Sequence, residues 1–313
     1  MAAPSDVNEI NISSSPHFAD NWSTAKIMLA VIIALMPLCV YGIVLYGLSA
    51  LITILVSVAS CVVFEFLFQK LAKQPVRVGD LSCIVTGLLL ALVMPPAVPF
   101  WMVILGAFFA IVVAKGFFGG IGANVFNPAL TGRAFMFVSF PIAMTTWSTP
   151  FADAVSGATP LVAGGTDYMS FFLGNKAGCI GESSVLLILL ACLFLIAMRI
   201  IDWRLPLSMV ATVALCTLIA GGDVLAAVMT GGLLFGAVFM ITDYATSPVT
   251  PWGRVLFGAG CGLITFLIRN FGGYPEGVMF SILIMNVLVP FLNRIVPRKY
   301  GYGKKKAVKE GAK

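Results

Sequence analysis

The sequence predicts an all-α polytopic membrane protein, with about ten transmembrane helices in two inverted five-helix repeats and broken helices within them. Three observations lead there. Hydrophobic residues make up 60% of the 313-residue chain, mean hydropathy is +1.03, and charged residues are only 10%, against about a quarter in soluble domains. A soluble domain of this length could not hide so much apolar side chain. Long runs are apolar on every face, unlike the alternating strands of a membrane β-barrel. Finally, short signatures of the first half recur in the second.

Residues 1–24 are polar at the start, without the positive cluster and early apolar core of a signal peptide. They are read as a cytoplasmic N-terminal segment. Ten segments then meet or approach the length needed to span a bilayer: 25–46, 48–69, 82–95, 100–115, 128–144, 183–200, 205–221, 224–242, 254–270 and 277–296. The third is short and ends at Pro95-Pro96; the fifth opens on Pro128, a favourable first-turn residue. Together they form one transmembrane domain, 25–296, with repeats at about 25–144 and 183–296. A polar, glycine-rich loop, 145–182, joins the repeats, and a basic tail, 297–313, follows.

Positive charge orients the spans. Lys70, Lys73, Arg77, Lys115, Arg199, Arg204 and Arg254 follow even-numbered spans, and seven Lys or Arg residues crowd the tail from Arg298 onward. The opposite loops hold only Lys176 and Arg269. The positive-inside rule therefore places both termini in the cytoplasm and loop 145–182 outside. The net charge of +6 comes from loops and tail. It fits topology and anionic lipid and calls for no nucleic-acid partner.

The repeat rests on three matches. Thr86-Gly87-Leu88, Pro96-Ala97-Val98-Pro99 and Phe118-Gly119-Gly120 recur as Thr230-Gly231-Gly232, Pro248-Val249-Thr250-Pro251 and Phe271-Gly272-Gly273, at offsets of 144, 152 and 153 residues. Five spans per repeat turn the second copy upside down, which places a site at broken helices near mid-membrane. Two candidate breaks follow. One is Asn124 to Arg133, where Asn124 and Asn127 precede a helix N-terminus. The other is Thr242 to Pro248, where Asp243 and Thr246 offer a carboxylate and a hydroxyl. Such oxygens suit an ion pathway or a polar ligand inside protein. They equally suit simple helix capping. Glu65, near the end of the second span, is expected to snorkel or to pair with Lys70 or Lys73.

Seven cysteines lie mostly in apolar runs with no CxxC pair, so they read as small buried hydrophobes without an iron–sulfur cluster. A lone histidine, His17, makes a histidine-based metal or haem site implausible. No glycine-rich dinucleotide fingerprint is present in a strand–helix setting. Independent NADH or ferredoxin sites are not expected, and no catalytic residue is assigned.

The most specific feature is Asp153-Ala154-Val155-Ser156-Gly157-Ala158-Thr159-Pro160-Leu161 in the outer loop. Gly157 and Ala158 remove bulk beside the Thr159 hydroxyl, and Pro160 biases Thr159 toward an extended backbone. Asp153 and Ser156 add polar contacts upstream. This matches the motif in which threonine takes the phosphate of FMN as a phosphoester. A threonine hydroxyl is a poor nucleophile at neutral pH, so a separate flavin transferase must install the group.

With this motif, Asn127-Pro128-Ala129, Ile32 to Pro37, Gly181-Glu182-Ser183 and Thr242 to Pro248 in place, nearly the whole chain resembles the D subunits of Rnf complexes. These are ion-translocating ferredoxin:NAD⁺ oxidoreductases, related to the B subunits of sodium-pumping NADH:quinone oxidoreductases. The short N-terminal segment favours the former. The resemblance implies covalent FMN on Thr159, a second, non-covalent riboflavin, and coupling of electron flow to Na⁺ or H⁺ movement. It implies partners: the membrane-embedded A and E subunits, the flavin-bearing G subunit, the peripheral B and C subunits, and the transferase. It also implies a multi-pass place in a prokaryotic inner membrane. A flavin-free inverted-repeat channel or transporter remains the alternative from another class; it leaves Thr159 without a role.

Overall fold

The computed structural model describes residues 22–151, 156–157, 167–174, 176–272 and 277–295. The helices are α1 (Thr24–Leu71), α2 (Ser82–Leu92), α3 (Phe100–Phe108), α4 (Pro128–Ser139), α5 (Pro141–Met144), α6 (Tyr168–Leu173), α7 (Val185–Ala197), α8 (Arg204–Ile219), α9 (Val224–Met229), α10 (Leu233–Phe235), α11 (Pro251–Phe271) and α12 (Val278–Leu292). α3 runs on as a π-helix, Phe109–Gly116, and α10 as another, Gly236–Met240.

α1 holds the first two expected spans. Its helical run of 48 residues is far longer than one crossing needs, but Gly47 sits inside it at φ 65, ψ −145. A Cβ is strained in that conformation, so glycine marks the break. The legs on either side are each about 35 Å long at 1.5 Å per residue, enough for the roughly 30 Å bilayer core. They form a hairpin. Thr24 lines a cavity with Ser82 and Lys115, and Glu65 and Ser82 both bond to Lys115. At the turn, Tyr46 instead donates to the Lys176 carbonyl.

The same reasoning sorts the other connections. Gly122, Asn124, Ile200, Ile201 and 242–245 line that first cavity and so share one end of the bundle. Leu45 with Phe151, Ser49 with Pro96, Lys176 with Met229, and Tyr168 with Asp223 gather at the other. Alternation of spans requires this division, and the basic loops fall together at the first end.

α2 is the centre of the packing, with ten of its eleven residues buried. It follows Leu81, which is left-handed at φ 64, and Asp80, whose carboxylate accepts from Ser82 N (2.9 Å) and Ser82 Oγ (2.6 Å). Gly87 packs on α1 so closely that a Cβ would lie 2.8 Å from Val58 Cα. α10 is likewise buried and follows two left-handed residues, Gly231 and Gly232.

Several boundaries differ from expectation. The third span is helical only to Leu92, before the Pro95-Pro96 turn. The fifth breaks at Phe140, because Pro141 cannot continue α4. The eighth is broken between α9 and α10, where glycines leave the helical region. Thr86 lies inside α2 while Thr230 ends α9, so their match is local and does not follow the helix starts. α2 and α10 start 151 residues apart, α3 and α11 151, and α4 and α12 150.

Among the described residues, by length and composition alone, α1 and α11 pass as membrane spans, and five further apolar helices are shorter. Large apolar side chains such as Val44, Leu48, Leu193 and Leu215 are exposed. Such exposure suits helices that face an apolar medium rather than water.

Candidate functional site

The expected residues Asn124, Asn127 and Asp243 meet at one cavity of about 370 Å³ at the basic end of the bundle. Its walls are mainly apolar, with Ser82, Thr86, Lys115, Thr242 and Tyr244 adding polar groups. Size and lining are those of a small-molecule site.

Local chemistry positions each group. Asn127 caps α4, its Oδ1 accepting from Leu130 N (3.3 Å), just before Pro128 supplies a preset first turn. Its Nδ2 donates to the Met240 carbonyl (3.2 Å), which the end of the second π-helix leaves free. Asn127 thereby ties the two halves of the chain. Asn124 donates to the Phe126 carbonyl (3.2 Å). Thr246 does not line the cavity; its hydroxyl donates to Asp243 Oδ2 (2.9 Å) and fixes that carboxylate. Asn286 of α12 completes the network. With its amide turned to suit both neighbours, it accepts from Asn127 N (3.2 Å) and donates to the Thr246 carbonyl (3.1 Å).

Glu65 corrects a sequence expectation. Its partner is neither Lys70 nor Lys73 but Lys115, whose Nζ lies 2.6 Å from Oε2 and 2.8 Å from Oε1. Lys115 is therefore no loop charge: it is 4% exposed, as is Glu65, and also donates to Ser82 Oγ (2.7 Å). The π-helix widens the turn that carries it, a departure often found at functional positions.

At the opposite end, Ser156–Gly157 form a short strand antiparallel to Trp147–Ser148. This pairing ties Ser156–Gly157, part of the expected attachment motif, to the segment just after α5. Asp153, Ala158, Thr159, Pro160 and Leu161 lie outside the described residues, as does His17. Nearby, Arg269 donates to the carbonyls of Ala227, Thr230 and Gly231 at the α9–α10 break. Lys176 donates to the Met229 carbonyl (2.5 Å), and burial pulls its ammonium down to about 8, against the pull of Glu182 and with Arg269 adding to the fall. Glu182 accepts from Cys179 N (2.7 Å). Cys179 is more than a small hydrophobe, since its Sγ donates to the Val93 carbonyl and accepts from Arg133. Arg133, Cys179, Glu182 and Met240 line a void of only about 20 Å³, room for a water at most.

On sequence alone Lys115 and Asn286 carry no site role, and Arg133 enters only as the end of the Asn124 to Arg133 break. A lone lysine or amide inside an apolar helix was the available signal.

The model of the NQR2, RnfD, RnfE family matches residues 11–301. The chain is 45% identical to the D subunit of the Na⁺-translocating ferredoxin:NAD⁺ oxidoreductase complex of Acetobacterium woodii, over 97% of this chain and 99% of that one. It is 42% identical to the D subunit of the proton-translocating ferredoxin:NAD⁺ oxidoreductase complex of Clostridium ljungdahlii, over 94% and 97%. With the D subunit of the ion-translocating oxidoreductase complex of Stutzerimonas stutzeri it shares 38% identity over 89% and 92%.

Proposed function

The chain belongs to the NQR2, RnfD, RnfE family, and from that premise we propose that it is the membrane electron-transfer subunit of an ion-translocating ferredoxin:NAD⁺ oxidoreductase, with FMN esterified to Thr159. The observation that carries this reading is an intact Ser156-Gly157-Ala158-Thr159-Pro160 motif in a chain that aligns end to end with relatives named as D subunits. The strand pair at Ser156–Gly157 lies at the end opposite the basic loops, which supports an attachment point outside the cytoplasm.

FMN supplies one- and two-electron transfer when bound. The chain's part is to hold it outside the bilayer and shield its surroundings. A second, non-covalent riboflavin is assigned to the cavity of about 370 Å³. The apolar walls fit a flavin ring. Asn124, Asn127 and Asp243 offer donors and acceptors for ring edge and ribityl hydroxyls, and the carboxylate is already oriented by Thr246.

The two inverted five-helix repeats belong to the same proposal. They are supported by the helix starts spaced 150 or 151 residues apart, and by a left-handed break before each short central helix. In each half a cation from the fourth helix serves that break: Lys115 on Ser82, and Arg269 on the 227–231 carbonyls. The remaining A, B, C, E and G subunits complete the complex in a prokaryotic inner membrane, with both termini cytoplasmic. The moved ion is Na⁺ or H⁺; the relatives' own names divide between the two.

The test is fluorescence of the denatured chain on a gel under ultraviolet light. Wild type, made with its transferase, should glow, and Thr159→Val should be dark. A dark wild type would favour the flavin-free transporter reading.

A further inference from the structure

A second cavity of about 400 Å³ opens at the basic end, between the end of α7 and the start of α8. Three arginines line it, Arg199, Arg204 and Arg254, with Asp202 the single carboxylate among the described residues. Arg254 is committed: its Nη1 lies 2.5 Å from Asp202 Oδ2 and its Nε donates to the Pro248 carbonyl (3.0 Å). Arg204 is only loosely held, 3.8 Å from the same carboxylate. Arg199 is exposed in a left-handed conformation at φ 55 just past α7, and among the described residues nothing pairs with its guanidinium. Partial burial alone would raise the Asp202 carboxyl, but the Arg204 N–H and the Arg254 guanidinium hold it below the usual range. Asp202 thus stays charged and the cavity keeps a surplus of two positive charges, three arginines less one carboxylate.

The rim is apolar. Trp203 is 53% exposed, with Arg204 above its ring at 5.8 Å. Leu193, Met198 and Leu207, on the adjoining turns of α7 and α8, are exposed as well. Tryptophan at a helix end marks the headgroup level, and apolar residues beyond it meet acyl chains. A free anion would leave that rim unused, and a soluble acidic partner would have to cover it. One ligand class satisfies both parts, because basic pockets between membrane helices at a cytoplasmic face take anionic lipid headgroups.

We infer that this cavity is a binding site for an anionic phospholipid, its phosphate held by Arg199 and Arg204 and its chains lying along Leu193 and Leu207. It adjoins the first cavity across a wall of Ile200, Ile201, Thr242 and Tyr244, where the Tyr244 hydroxyl bonds the Ile200 carbonyl. A bound lipid therefore braces one side of the candidate flavin site.

The test uses the assembled complex, delipidated in detergent and titrated with brominated phosphatidylglycerol or brominated phosphatidylcholine. The readout is quenching of Trp203 fluorescence, taken as the difference from a Trp203→Phe complex. Phosphatidylglycerol should bind about 30-fold more tightly than phosphatidylcholine, and Arg199→Gln/Arg204→Gln should erase the preference. If the double variant misassembles, Arg199→Gln alone should lower the preference about fivefold. Equal binding of the two lipids, or a preference unchanged in the variants, overturns the proposal. So does full displacement of phosphatidylglycerol by millimolar inorganic phosphate, which would make this a phosphate site. None of these outcomes bears on Thr159.

Discussion

Replacing Lys115 with Met removes three short contacts at once: to Glu65 Oε1 (2.8 Å), Glu65 Oε2 (2.6 Å) and Ser82 Oγ (2.7 Å). Glu65, only 4% exposed, then keeps a single side-chain partner among the described residues, Gln69 Nε2 at 3.1 Å. Breaking a buried pair by removing one member costs about 3–5 kcal/mol, because the surviving charge is left uncompensated. A ceiling exists, since the carboxyl can take a proton from solvent. From an ordinary carboxylate at pH 7 that costs about 3.7 kcal/mol, and near pH 5 only about 1 kcal/mol. The folded variant then holds one more proton than the unfolded chain, so its deficit grows with pH. The expected loss for Lys115→Met is about 3–4 kcal/mol at pH 7, shrinking toward about 1 kcal/mol at pH 5. Glu65→Gln on the Lys115→Met background should recover most of it, since a neutral pair needs no counter-charge. Unfolding by steric trapping in mixed micelles at both pH values measures it. A deficit that does not change with pH, or one below about 1 kcal/mol at pH 7, would refute the reasoning. It would mean that water reaches the pair through the adjoining cavity.

Three further outcomes are expected. Lys176 binds its proton more weakly when folded, near 8, so between that pH and the ordinary lysine range the unfolded chain holds more protons and stability rises with pH. Wild type should therefore gain on Lys176→Met in thermal unfolding from pH 7.5 to 10 (roughly the window set by the two states); a loss would contradict the burial of Lys176. Gly132→Ala would place a Cβ 2.6 Å from the Gly106 carbonyl oxygen, where α3 and α4 cross. It should lower stability by about 1–3 kcal/mol, and an unchanged unfolding midpoint would show that the crossing is looser. Asn124→Ala with Asp243→Asn should abolish the riboflavin released when the complex is denatured, while the FMN bound to Thr159 remains. Retention of released riboflavin would take the second flavin out of this cavity.

Much of the fold was legible because hydropathy reports removal from water and punctuation reports backbone freedom. The break at Gly47, the Pro128 helix start and the sorting of basic loops to one end all follow from those signals. Partners were not legible. Sequence proximity suggested Lys70 or Lys73 for Glu65, yet the partner lies 50 residues away. Lipid-facing and core-facing positions are both apolar in a membrane helix, so the pattern does not say which side of the fourth span carries Lys115 inward. The Asn127 to Met240 bond spans 113 residues, and Asn286 joins it from a third helix. Oxygen-rich breaks pointed to Asn124, Asn127 and Asp243 as two separate places, which the fold brings to one cavity. They also marked Thr246, which stands behind Asp243 and does not face the cavity. The split of the eighth span was visible only as two glycines, whose left-handed φ values a hydropathy window ignores.

The most direct measurement is mass spectrometry of the peptide that bears Thr159, cut from the complex as isolated from native membranes. The account predicts a mass increased by FMN, with fragments placing the added phosphate on the Thr159 oxygen. An unmodified peptide from an active, fully assembled complex would contradict it.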